Sequence, residues 1–138
     1  MSKRATVLAL LSLTACQPQS PALRIIDGDT FDLNGTRYRA ARYDSPELHH
    51  ARCARERDLA LRAKHRLEAL LRQPFTIEHV RCWHGYLRDR YGRSCAVVRV
   101  NGIDVGDILI REGLAVSFPQ PTAARPWCSS SEGEVKDD

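Results

Sequence analysis

Asp29, Asp44 and Glu47 are carboxylates that one short hairpin would gather, with Arg39 between them in the chain. The stretch they occupy, 27–47, reads DGDTFDLNGTRYRAARYDSPE. Two aspartates of this kind suit a hard divalent cation, which takes oxygen ligands. A third carboxylate on a turn can accept a proton from water. Arginine suits a phosphate, because its planar fork presents parallel N–H donors to two oxygens. A second arginine, Arg93, ends the segment DRYGR at 89–93. Taken singly, each residue also has an ordinary reading. Asp29 can cap a turn after Gly28, Glu47 can be a surface glutamate, and Arg39 and Arg93 are two cations among many. Arg39 also precedes Asp44 by five residues, so on an ideal strand the two face opposite sides. A bulge or strong curvature must re-aim one of them.

The elements that must position these residues follow from pattern. Strands are expected at 23–27 and 30–33, then at 36–43 after Asn34-Gly35, the strongest hairpin signal in the chain. That hairpin folds Asp29 back toward Asp44. Ser45-Pro46 ends the third strand, since proline cannot donate to a ladder. Leu59, Ala63, Leu67 and Leu70 recur at helical spacing, so 51–72 reads as a long amphipathic helix stopped by Pro74. On it Arg52 and Glu56, and Glu68 and Arg72, are spaced to pair weakly. Strands at 75–82 and 94–100 flank a polar connection. Asp104 is the expected N-cap of a short helix over 105–112, and Gly113 its C-terminal stop. Five strands with a long helix between the third and fourth and a short helix after the fifth fit an α+β, mainly β, OB-type barrel. The fold alone assigns no chemistry.

At 138 residues the chain is long enough for one core. Its net charge of +4, carried largely by arginine, suits a polyanionic partner or simply a solvated basic surface. Residues 1–15 place two cations before an apolar run too short to span a bilayer, the form of an export signal. Leu13-Thr14-Ala15-Cys16 resembles a bacterial lipobox, so Cys16 is the expected lipidated residue and 16–22 a Pro-containing tether. An ordinary cut after Ala22 is the rival. Gln17 after the cysteine favours anchoring to the outer membrane, facing the periplasm; the ordinary cut would give a soluble periplasmic or secreted protein. Four of the five cysteines then remain, an even count that argues for two disulfides in an exported chain.

Together these segments resemble the staphylococcal nuclease-like, or thermonuclease, family. The resemblance rests on DGDT at 27–30, on Arg39 followed by DSPE at 44–47, on DRYGR at 89–93 and on LIREGLA at 109–115. It covers 25–115 in the right order. It implies a Ca²⁺-dependent phosphodiesterase acting on DNA and RNA. Position by position, it implies Asp29, Asp44 and the Ser45 carbonyl as metal ligands and Glu47 as the general base. It further implies Arg39 and Arg93 on the scissile phosphate, with Tyr91 near the bound nucleotide. The chain departs from the family after GLA, where Val116-Ser117-Phe118-Pro119 stand in place of later tyrosines, and it lacks a long third helix. Disulfides, each worth roughly 2–4 kcal/mol, are the expected compensation. The hairpin expected between the fourth and fifth strands pairs Cys82 with Cys95. Cys53 then joins Cys128, pinning an irregular tail at 119–138 to the nuclease-like domain at 23–118. His49 and His50 beside the site read as a loop pair. Trp83 and Tyr86 can stack on bases or pack on the rim, and Trp127 reads as a packing residue. The competing reading is a non-catalytic OB module that binds nucleic acid or protein. A monomer is expected.

Overall fold

Asn34 and Gly35 both take positive φ, 49° and 81°, as a tight two-residue hairpin requires. The structure, a computed structural model, describes residues 21–119 and 126–128. In chain order come β1 (Leu23–Ile25), β2 (Thr30–Leu33), β3 (Thr36–Ala40) and β4 (Tyr43–Asp44). Helix α1 (Ala54–Leu71) follows, then β5 (Phe75–His79), β6 (Ser94–Val100) and β7 (Ile103–Asp104). Helix α2 (Val105–Arg111) and β8 (Val116–Ser117) complete the set. The export signal, Cys16, most of the tether and most of the tail lie outside the described residues. Among the described residues no helix is long and apolar enough to cross a membrane.

The main sheet runs β1-β2-β3-β6-β5, with β7 paired to β6. β3 and β6 are parallel and the other pairs antiparallel, so the sheet is mixed. The architecture is mainly β with two helices, as expected, but the expected closed five-stranded barrel is absent among the described residues. β1 and β5 remain edges of an open path. An open groove is lined by Leu33 at the end of β2, Leu71 in the last turn of α1, Pro74, and Phe75 and Ile77 of β5.

The apolar faces close on one core. Phe31, Tyr43, Ala63, Leu67, Val98, Val105 and Leu109 are buried within it. α1 approaches the sheet closely because the residues that meet are small. A Cβ built at Gly28 would stand 2.7 Å from Ala63 Cβ and 2.8 Å from Ser45 Cβ. Only glycine fits there, and it sits immediately before Asp29.

The third strand departs from expectation. It ends at Ala40, and Arg42 takes φ 75°. After this kink the chain leaves the main sheet. β4 pairs antiparallel with β8, Asp44 opposite Val116. The short helix is as expected: Asp104 Oδ1 accepts from Gly106 N at 2.8 Å, and Gly113 follows with φ 72°.

Candidate active site

β2 opens on the first carboxylate. Asp27 Oδ1 accepts from Asp29 N at 3.2 Å, closing an Asx turn. Asp29 is buried and both of its oxygens are engaged. Oδ1 accepts from Thr30 Oγ1 at 2.9 Å and Oδ2 from Ser45 N at 3.1 Å. Hairpin register sets Thr30 opposite Arg39, and Ala40 N donates to Asp29 O at 2.8 Å. Asp29 therefore lies level with the end of β3.

The kink at Arg42 solves the facing problem posed by the spacing of Arg39 and Asp44. It turns the chain so that Asp44 returns to the arginine's side. Arg39 Nη1 donates to the carbonyls of Ala40 and Tyr43, the latter at 2.9 Å. These bonds hold the turn and offset the cost of a left-handed non-glycine residue, about 1–2 kcal/mol. Nη2 then lies 3.0 Å from Asp44 Oδ1 and 3.3 Å from Asp29 Oδ2. One nitrogen thus touches both carboxylates, so they stand within two hydrogen-bond lengths of each other. The fully buried Tyr43 secures the arrangement from below, its hydroxyl donating to Gly28 O at 2.9 Å.

Arg93 reaches the same place from another loop. Its Nη1 lies 3.3 Å from Thr30 Oγ1, the hydroxyl that bonds Asp29. Asp89 shapes that loop. Oδ1 accepts from Tyr91 N and Arg93 N at 2.9 and 3.0 Å, and Oδ2 from Arg93 Nε at 2.6 Å. Burial raises the Asp89 pKa, but these bonds from Arg93 and Tyr91 outweigh it and hold the carboxyl below its usual range. Tyr91 is exposed, with the Arg93 guanidinium 5.1 Å from its ring centre.

Negative charge is concentrated at this spot. Asp27 is pushed up to about 7, first by burial, then by Asp29, with a smaller contribution from Glu47. Glu47 is half-buried, near enough for its charge to be felt at Asp27. Asp29, Asp44, Ser45, Arg39 and Arg93 thus come together at the open end of the β2–β3 hairpin, the first three buried, and half-buried Glu47 follows two residues after Ser45. His49 and His50 are exposed beside it.

A model of the staphylococcal nuclease homologue family matches residues 37–133. The chain belongs to that family. A search of curated proteins returns no match. Within the staphylococcal nuclease homologue domain, the matched stretch contains Arg39, Asp44, Glu47 and Arg93, whereas Asp27 and Asp29 precede it.

Two residues around this nuclease-family site have roles that their place in the sequence did not assign. Asp89 is one; its signal is a carboxylate four residues before Arg93. Glu56 is the other. The expected weak surface pair with Arg52 is instead anchored on a carboxylate with no exposure. Glu56 Oε2 accepts from Arg52 N at 2.7 Å, and Oε1 from Glu47 N at 3.4 Å. Its signal is a capping-box position, three residues after the N-cap, with Cys53 where Ser or Thr is usual. Both expected disulfides are present, Cys53–Cys128 and Cys82–Cys95. Cys53, Glu56 and Cys128 come together as three possible metal donors. Because the two sulfurs are bonded to each other, this cluster is a staple and not a zinc site.

Proposed function

We propose that this protein is a calcium-dependent nuclease that hydrolyses phosphodiester bonds of DNA or RNA by attack of an activated water. The observation that carries the reading is the contact of one Arg39 nitrogen with both Asp29 and Asp44, with Arg93 joined to the same Asp29 through Thr30. Two anions and two guanidinium groups at one point suit a cation and a phosphate side by side.

The residues present fit a hard cation. The donors are all oxygen, from Asp29, Asp44 and the Ser45 carbonyl, the set a hard cation takes. Calcium held there would polarise the phosphate. Arg39 Nη1 is occupied by backbone carbonyls and Nη2 by the two carboxylates, so Nε is the first donor offered to a phosphate, and Nη2 joins it when a cation takes up the carboxylates. Arg93 supplies a second fork. Both stabilise the charge that builds on phosphorus-bound oxygens as water attacks. Glu47 takes the proton of that water, the new P–O bond forms, and the bond to the leaving sugar oxygen breaks. Tyr91 lies against Arg93, beside the bound nucleotide.

The export signal and the lipid anchor at Cys16 belong to this proposal too. They would place a monomeric enzyme on the cell envelope, most naturally the periplasmic face of the outer membrane. The deciding experiment is an assay of the purified soluble domain on single- and double-stranded DNA and RNA. Hydrolysis abolished by EDTA and restored by Ca²⁺ supports the reading. No hydrolysis of any substrate with Ca²⁺ present leaves the non-catalytic binding module as the better account.

A further inference from the structure

The chain enters the fold at a fixed point. Ala22 N donates to Asn34 Oδ1 and Asn34 N to Ala22 O, both at 3.0 Å, so the start of the described chain is clamped beside the β2–β3 turn. Pro21 joins the lining of the apolar groove formed by Leu33, Leu71, Pro74, Phe75 and Ile77. Leu33, Phe75 and Ile77 pack on the core and are still only partly buried. A second cleft opens beside the groove and shares Arg72 with it, and Arg24, Lys64 and Glu68 complete its charged lining. Arg24 and Arg37 share Asp32, and Arg72 pairs with Glu68. These four cations face two acids, which leaves a positive excess beside an apolar floor.

The candidate active site is at the other end of the same sheet. In β6, Val100 stands opposite Phe75 at the groove, whereas Cys95 stands opposite Arg39. The stretch from Cys95 to Val100 measures about 17 Å along the strand. Trp83 follows Cys82, which is bonded to Cys95, so it belongs to the site end, where it is 65% exposed.

The tether from Cys16 to Pro21 spans at most about 18 Å, whatever its conformation. A lipid at Cys16 therefore keeps the groove within that reach of the bilayer. The site end could touch lipid only with the tether drawn nearly taut along the whole sheet. Lipid chains supply the affinity for the membrane. The face beside the tether then decides which way up the protein stands, and cations next to apolar surface suit anionic headgroups.

We propose that the groove end is a membrane-resting face, which lies on anionic lipid headgroups and turns the candidate active site toward the aqueous phase. The inference rests on lipidation of Cys16 and not on the nuclease chemistry. So placed, the site stays open to polymers too large to enter a gap between protein and bilayer.

The test reads orientation directly. The protein is purified from membranes, and its mass reports lipid at Cys16. It is then reconstituted in phosphatidylcholine vesicles that contain phosphatidylglycerol and brominated lipid, a contact quencher of tryptophan. Trp127 is only 3% exposed, so the wild type reports Trp83 at the site end. Gln73→Trp adds a reporter in the groove. The added fluorescence is expected to be quenched and that of the wild type to be unchanged. Quenching in the wild type, or in neither protein, overturns the proposal. In a second arm the mature chain from residue 16, made lipid-free by Cys16→Ser, is floated with the same vesicles without bromine. Lys64→Gln and Arg72→Gln, each added to that chain, are expected to weaken binding about five-fold, the effect of one positive charge near an anionic surface. Equal binding by all three chains overturns the proposal, and a lipid-free dimer that does not bind vesicles overturns it by giving the groove to a second copy. Lipid at Cys16 without quenching in the groove removes the resting face and leaves the anchor. An unlipidated Cys16 with charge-dependent vesicle binding does the reverse.

Discussion

Removing the Glu56 side chain should damage both stability and turnover. The carboxylate has no exposure, lies three residues after the cap of α1 and accepts from Arg52 N at 2.7 Å and Glu47 N at 3.4 Å. Glu56→Ala removes that acceptor from two backbone donors. A buried donor that loses its partner costs about 1–3 kcal/mol. The bond to Glu47 is long, so the bond to Arg52 dominates. The helix cap itself, Glu56 N on Cys53 Sγ, survives in this variant. The expected cost is therefore about 1–3 kcal/mol, or a fall in Tm of roughly 5–10 °C for a chain of this size. Glu56→Gln should recover part of it, because the amide keeps one accepting oxygen but turns its NH₂ toward the other donor. The assay is urea unfolding with disulfides intact, paired with turnover measured well below Tm. Since Glu56 holds the backbone of the proposed base, kcat should fall more than KM rises. A loss under about 0.5 kcal/mol refutes the reasoning on burial. Lost stability with unchanged kcat refutes the positioning role.

Glu47→Gln should lower turnover by about 10²–10⁴-fold while calorimetric Ca²⁺ affinity stays nearly constant, because only the proton acceptor is lost. Gly28→Ala should destabilise by about 1–3 kcal/mol in chemical denaturation, since the new methyl meets Ala63 and Ser45 at 2.7 and 2.8 Å. Asp27, moved by burial and by Asp29 from 3.8 to about 7, gives the metal-free protein a signed pH dependence. The folded state keeps a proton that the unfolded state has released, so this group's stabilisation is complete below its unfolded pKa. It is lost as pH rises through the folded value. Asp27→Asn in EDTA should flatten that slope, as read from unfolding midpoints between acid and neutral pH.

Local patterns carried much of the fold. β2 and β6 begin and end where alternation placed them, and Asn34-Gly35 set the register that brings Asp29 level with Arg39. Cys82–Cys95 followed from expected neighbours, and Cys53–Cys128 was the pair that remained. What stayed hidden depends on contacts distant in sequence. No residue type announces that Arg42 will adopt a left-handed backbone, because its stability comes from Arg39 binding two carbonyls of the same turn. β4 and β8 are two residues each and exist only by pairing across most of the chain. Barrel closure would need β1 and β5, about fifty residues apart in the chain, to pair, and local patterns do not decide that; they stand as the two ends of the strand order. Glu56 looked like one more surface charge because the cap three residues before it is Cys53 and not the usual Ser or Thr.

The two sulfur bridges share a geometry with a functional consequence. Each ties a segment of irregular chain to a regular element: Cys82 to β6, and Cys128 to the start of α1. Neither crosses between strands of the meander β1-β2-β3, whose ladder closes without sulfur. A reductant would therefore slacken the turn after β5 and the start of α1 before it melts the meander. Order in these attached segments and foldedness of the meander would be separable by redox conditions.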